Sequence, residues 1–363
     1  VTNEIFELRQ TVNLSIRRRS MKKLSVCCLA FFIAVSLILS PLVAGAATDK
    51  IKFGHVAPPF HGQSKGADAF AAYVKEKTNG RIDIATFPMG QLGGERSMAE
   101  QVQAGTLQIA SITTAVMQNF VPQTGIMDLP YLFPNRETAY AVIDDPKVQE
   151  KLFSYLPKKG FIGIGWTENE LRDFTNTKRP VRKPEDIKGL KVRVMEAAVF
   201  MDTFKQLGAS PVGIPFPEIY NALQTGVIDA QENPLLTSIL MKFTEVTKFV
   251  TLTQHTITEC IIIVNPDYWA SLSKADQKIF RDAAATAIKT NREVNEGLHN
   301  KLPKLGISID EYCKKNGIEV IRLTNAEKEE FRKAVLPVYD LYREKIGGDL
   351  MDFFLGKVKE HRR

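Results

Sequence analysis

Histidine and cysteine are scarce in this chain, at five and four residues of 363. None of His55, His61, His255, His299 and His361 pairs at a metal-ligand spacing on one helix, which removes the common zinc hydrolase patterns. No GxxxxGK phosphate loop occurs, and Gly163 and Gly165 lack the third glycine of a dinucleotide site. The stretch Gly62-Gln63-Ser64-Lys65-Gly66 matches the GxSxG nucleophile elbow. That elbow needs a strand directly before its serine, and Pro58-Pro59-Phe60-His61 is no central strand. Ser64 therefore reads as a helix-start residue. There is no low-complexity linker, heptad array or short repeat. Long basic runs are absent from the body of the chain. Of the net charge of +7, +4 lies in the first 46 residues, and the +3 left is too little for a nucleic-acid footprint.

What is present begins at the N-terminus. Arg17, Arg18, Arg19, Lys22 and Lys23 precede an almost wholly apolar run over 24–42, and Ala44-Gly45-Ala46 follows as a small-x-small site. Residues 1–46 thus read as an upstream extension plus a signal peptide, starting at Met21 and cleaved between Ala46 and Ala47. Export to the periplasm is the expectation. The competing reading is an uncleaved anchor helix, because the run nearly spans a bilayer. Cys27 and Cys28 leave with the signal. Cys260 and Cys313 remain, either as a disulfide or, the reading preferred here, as two buried thiols.

The rest of the chain, 44% hydrophobic overall, alternates β-like and helix-like segments and predicts an α/β fold. Strands are expected over 51–55, 81–87, 107–112, 190–195, 210–214 and 318–323. Helices are expected over 64–77, 97–103 and 197–207. A long helix, polar on most faces, is expected over 274–305, the kind that bridges domains. One echo stands out. VQAGTLQIA (102–110) resembles LQTGVIDAQ (223–231), each a helix end, a glycine stop and a short strand. Two pseudo-equivalent lobes would leave such a trace; so would a common helix-Gly-strand connection.

Arg193 lies in the apolar strand LKVRVM (190–195). A guanidinium there is costly to bury unless an anion meets it, and its planar fork suits a carboxylate. Three readings stay open for it: a ligand contact, an internal salt bridge, or an outward-facing strand residue. Asn233, before Pro234, either donates an amide to the same anion or is an ordinary turn residue.

At this stretch the chain resembles the solute-binding (P) subunits of TRAP transporters, often named for C4-dicarboxylates. The markers are GLKVRVM, LGASP (207–211) and PFPEIYNALQTGVIDAQENP (215–234), supported by KFGH, FPMGQLGGER, LPYLF, FTNTKRPV and DIKGLK. The resemblance implies two α/β lobes of the periplasmic-binding-protein type around a ligand cleft, with a long bridging helix. It implies lobe I over 47–170, lobe II over 171–258, a return to lobe I with the long helix over 259–298, and lobe II-side helices over 299–363. Arg193 matches the family arginine that binds the ligand carboxylate, Arg172 a basic position that assists it, and Asn233 an asparagine near the same group. Phe216 falls on an aromatic cleft position. Glu95 and Thr113 match positions facing the variable end of the ligand, with His55 and Val56 bordering it. Glu196 stands where many members carry proline or a small residue, and either admits a hydroxyl- or amine-bearing ligand or starts a helix. The implied function is capture of a small organic carboxylate and its delivery to membrane permease subunits, by a monomer that is not an enzyme and needs no cofactor or metal. The competing readings are a ligand-binding sensor for a membrane receptor, a periplasmic carboxylate-processing enzyme using Ser64, and a structural envelope protein.

Overall fold

Strand order in the sheet locates the site before any side chain is considered. The computed structural model describes residues 49–362; the signal-peptide reading, with Met21, Ala46, Ala47, Cys27 and Cys28, lies outside them. Nine strands form one sheet in the order β2-β1-β3-β8-β4-β7-β5-β6, with β9 beside β8. The first half is β1 (Asp49–Gly54), β2 (Ile82–Phe87) and β3 (Ile109–Thr113), all parallel. The second half is β5 (Lys191–Val194), β6 (Ser210–Gly213) and β7 (Ala230–Asn233), again all parallel. In each half the first strand is central. Two long antiparallel strands join the halves, β4 (Ile162–Asn176) and β8 (Phe249–Val264). β3 pairs with residues 260–264 of β8, and β7 pairs with residues 173–176 of β4. The two halves are therefore topological repeats.

The echo in the sequence is part of that repeat. Helix α2 (Glu95–Gln103) leads through Gly105 to β3, and α7 (Ile219–Gln224) leads through Gly226 to β7. Both glycines have left-handed backbones, at φ 78° and 72°, where a side chain would be strained. Helix α1 (Gly62–Lys77) begins two residues before Ser64, and its cap is His61, whose Nδ1 accepts the Gln63 N–H at 3.2 Å. Ser64 thus sits buried in the first turn of a helix with no strand before it.

Helices α3 (Thr114–Met117), α4 (Arg136–Ile143) and α5 (Pro146–Phe153) lie between β3 and β4; α6 (Ala198–Gln206) connects β5 to β6. Short helices α8 (Leu235–Leu240) and α9 (Pro266–Ser271) flank β8. The long polar helix is α10 (Lys274–Asn300), packed on α1 and β4. Its buried stripe is Phe280, Ala283, Ala284, Ala287, Asn291 and Asn295, spaced for one face. Small residues allow close approach: a Cβ on Gly66 would come 2.7 Å from the Ala287 carbonyl. Phe70 sits edge-on to both Phe53 and Phe280, at 5.5 Å each. The polar end of the stripe has a purpose. Asn291 Oδ1 accepts the Glu168 N–H at 2.7 Å, and its Nδ2 donates to the Glu168 carbonyl at 3.1 Å. Those bonds satisfy β4 where it crosses between halves and bulges.

After α11 (Ile309–Lys315) and β9 (Glu319–Arg322) come α12 (Asn325–Ala334), α13 (Pro337–Ile346) and α14 (Gly348–His361). These last helices touch both halves: α14 packs on α4, and α13 on α6 and on the 3-10 turn Pro122–Asp128. Cys260 and Cys313 are free buried thiols, the first in β8 and the second in α11. Among the described residues no helix is long and apolar enough to cross a membrane.

Candidate functional site

Strands β1 and β3 of one half and β5 and β7 of the other, parallel within each half, end at one pocket. Sites in open α/β sheets form outside such carboxyl ends. From the first half come Val56, Pro58, His61 and Gln63 after β1, Glu95 at the start of α2, and Thr113 at the end of β3. From the second half come Arg193 and Met195, Phe216, Asn233 and Thr237. Asn169 and Arg172 enter from the crossing strand β4. About 20 Å³ of free volume is left inside it. The halves meet over it. A Cβ on Gly90 would lie 2.9 Å from Pro217, and Asn119 Nδ2 donates to the Glu196 carbonyl at 2.6 Å.

Arg193 is 2% exposed. Its Nε donates to the Ile214 carbonyl at 2.8 Å, and its Nη1 has no partner. Among the described residues no carboxylate lies within ion-pair distance of it. Burial lowers its pKa to about 10, so it stays charged at neutral pH. A buried, charged donor without an acceptor, lining a cavity, has the chemistry to hold an anion.

Arg172 is different. It is fully buried and ion-paired to the buried Glu232. Its Nη2 also donates to Glu232 Oε1 at 3.0 Å and to Asn233 Oδ1 at 2.9 Å, which leaves only Nη1 unpartnered. Burial alone would raise the Glu232 pKa, but Arg172 and His255 outweigh it and hold the carboxyl below its ordinary value. Asn233 in turn donates Nδ2 to Gln231 Oε1 at 2.5 Å. Asn233 and Glu232 thus fix Arg172 in place, and one Arg172 nitrogen faces the pocket beside Arg193.

Across the pocket Glu95 is 7% exposed. Its two oxygens accept from Thr113, from the N–H at 2.7 Å and from Oγ1 at 3.1 Å. Burial raises its pKa against those bonds and the two arginines. Glu95 and Thr113 therefore bind each other as well as lining the cavity.

Of the residues singled out in the sequence, Arg193, Arg172, Asn233, Phe216, Glu95, Thr113 and Val56 line the pocket. His55 and Glu196 do not. His55 is buried against Phe53, edge-on at 6.3 Å, two residues along on the same face. Glu196 follows the lining residue Met195, and its carbonyl is what bridges to Asn119. Glu232, His61, Gln63, Asn169 and Thr237 were not foreseen. Glu232 carried a signal, since a buried arginine invites a search for a charged residue in a neighbouring strand.

Two repeated α/β halves, joined by crossing strands and shut over a pocket with unpaired arginine nitrogens, define a two-lobed solute-binding protein. More narrowly, the chain belongs to the bacterial extracellular solute-binding protein family 7, the solute-binding proteins of TRAP transporters, whose profile it matches over residues 53–345. It is 38% identical over 280 residues to a solute-binding protein of Verminephrobacter eiseniae, across 76% of this chain and 83% of that one. Two solved structures are similar. A TRAP periplasmic solute-binding protein from Polaromonas sp. JS666, bound to D-erythronate, gives a TM-score of 0.78 at 37% identity over 84% of this chain and 97% of its own. The sugar acid binding protein of Advenella mimigardefordensis, in complex with galactonate, gives 0.79 at 31% over 86% and 99%. Members of this family are transport components, not enzymes.

Proposed function

We propose that this protein captures a small organic carboxylate in the periplasm and delivers it to TRAP membrane permease subunits. The observation that carries the reading is Arg193 Nη1, a buried cationic donor with no protein acceptor in the pocket between the halves. The carboxylate bridges Arg193 and the free Nη1 of Arg172, with Phe216 closing the apolar side. Thr113, Glu95 and Val56 line the opposite wall. Closure excludes water, which strengthens each charged contact. The ligand shifts the protein toward the closed form only by binding that form better.

The lobes are 47–170 with the return over 259–298, and 171–258 with the helices over 299–363. Two of their boundaries fall in β4 and β8, near the bulges at Glu168/Leu171 and Arg172/Phe174, and the third falls inside α10. The N-terminal 46 residues direct export, and the protein acts as a monomer.

Titration calorimetry with a panel of small organic acids tests the reading. Arg193→Ala is expected to weaken binding by roughly 2–5 kcal/mol, as for one half of a buried charge pair. Arg193→Lys is expected to bind poorly as well, because the planar fork is lost. Unchanged affinity in Arg193→Ala refutes the assignment.

A further inference from the structure

His61 is 1% exposed, lines the pocket, and has one ring nitrogen unaccounted for. Its Nδ1 accepts the Gln63 N–H, so that nitrogen carries no proton. In the neutral ring the proton then sits on Nε2, which has no partner. Thr237 Oγ1, in the same pocket and 3% exposed, is also without one. The pocket therefore offers two fully buried uncharged polar groups without a partner besides the two arginine nitrogens, and the half-buried Asn169 amide lines it as well. Glu95 and Gln63 add little to this, since Glu95 is held by Thr113 and Gln63 Nε2 donates to Ser111 Oγ at 2.9 Å.

The charge around His61 decides what it takes. Glu170 and His299 are the charged groups that act on it, and Glu170 is held by His299 at 2.6 Å and by Arg136 at 3.4 Å. Burial lowers the His61 pKa and keeps the ring neutral. Among the described residues Arg172 and Arg193 are the only cations lining the pocket, and the capture reading assigns both to the carboxylate. A second carboxylate at His61 would be buried without a counter-ion, which is strongly unfavourable. A hydroxyl or keto oxygen meets the Nε2–H at no such cost and satisfies a donor that is otherwise orphaned.

We infer that His61 Nε2, with the Thr237 hydroxyl, recognises a hydroxyl or keto oxygen, so that the preferred ligand is a short hydroxy or oxo monocarboxylate and not a dicarboxylate. This rests on the capture reading above and narrows its ligand class. It gives His61 two separable tasks, capping α1 through Nδ1 and contacting ligand through Nε2.

Calorimetry with D-erythronate, butyrate and succinate tests it, on wild type, His61→Asn, Thr237→Val and Arg193→Ala. Asparagine keeps a cap at the start of α1, and thermal denaturation checks that the fold survives. Wild type is expected to prefer erythronate over both other acids by about 10-fold or more, the scale of one or two buried hydrogen bonds. In His61→Asn the erythronate-to-butyrate ratio is expected to fall about 10-fold, and in Thr237→Val by a smaller factor. Succinate binding as tightly as erythronate, or a ratio unmoved by His61→Asn, overturns the inference alone, provided that Arg193→Ala still weakens binding. Binding of none of the three acids, or binding indifferent to Arg193, overturns the capture reading and this inference with it.

Discussion

Arg172 and Arg193 line one pocket, yet truncating them should have opposite consequences. Arg172→Ala strands Glu232, a carboxylate with no exposure, whose other close neighbour is the His255 ring, with Nε2 at 3.5 Å. It also frees Asn233 Oδ1, which accepts from Arg172 at 2.9 Å. Breaking a buried pair from one side costs roughly 3–5 kcal/mol. For a protein of this size each kcal/mol lowers Tm by about 2 °C, so the expected loss is about 6–10 °C. Arg193→Ala removes a buried charge that, among the described residues, no acid meets at ion-pair distance, although Glu232, Glu95 and Glu196 act on it from further away. Without ligand its Tm should therefore stay within about 3 °C of wild type, because losing the Ile214 bond and losing an unpaired charge oppose each other. With the same concentration of acid the order changes: wild type gains a ligand-induced shift and Arg193→Ala gains a smaller one. The assay is differential scanning calorimetry with and without a saturating organic acid. Removing Glu232 as well, in Arg172→Met/Glu232→Leu, should recover much of the loss. Equal destabilisation by Arg172→Ala and Arg193→Ala without ligand would refute the division of roles.

Three further outcomes are expected. His55 is buried with both ring nitrogens unpartnered, and burial lowers its pKa to about 4; the unfolded chain takes up that proton near pH 6.5, so stability falls from pH 6.5 towards 4, by at most about 3 kcal/mol. His55→Phe should flatten Tm against pH over that window, and an unchanged profile would argue against it. Gly66→Val should lower stability by about 1–3 kcal/mol in urea denaturation, since even a Cβ lies 2.7 Å from the Ala287 carbonyl. Asn291→Ala leaves the Glu168 N–H and carbonyl without their side-chain partner and should cost about 1–3 kcal/mol by the same measurement.

Strands of ordinary apolar pattern were readable from the sequence, β5 with its out-of-place arginine above all. The glycine echo was readable because Gly105 and Gly226 end equivalent helices, at φ 78° and 72°. The crossing strand β4 was not. Its segment Glu168-Asn169-Glu170-Leu171-Arg172-Asp173 is too polar to read as a buried strand. It is buried because α10 and β8 cover it, and those partners are more than 80 residues away in sequence. Glu170 even adopts a left-handed backbone, at φ 53°, inside that strand. The pairing of Arg172 with Glu232 was hidden for the same reason. His61 was read only as part of a segment that excluded a nucleophile elbow; its role at the pocket depends on which ring nitrogen the helix start consumes.

A crystal structure of the protein with a bound organic acid tests the central claim most directly. The acid's carboxylate should lie within hydrogen-bond distance of Arg193 Nη1 and Arg172 Nη1, with Glu232 still on the far side of Arg172. An acid bound elsewhere, or Arg193 turned to an acid of its own chain while the pocket is filled, would contradict it.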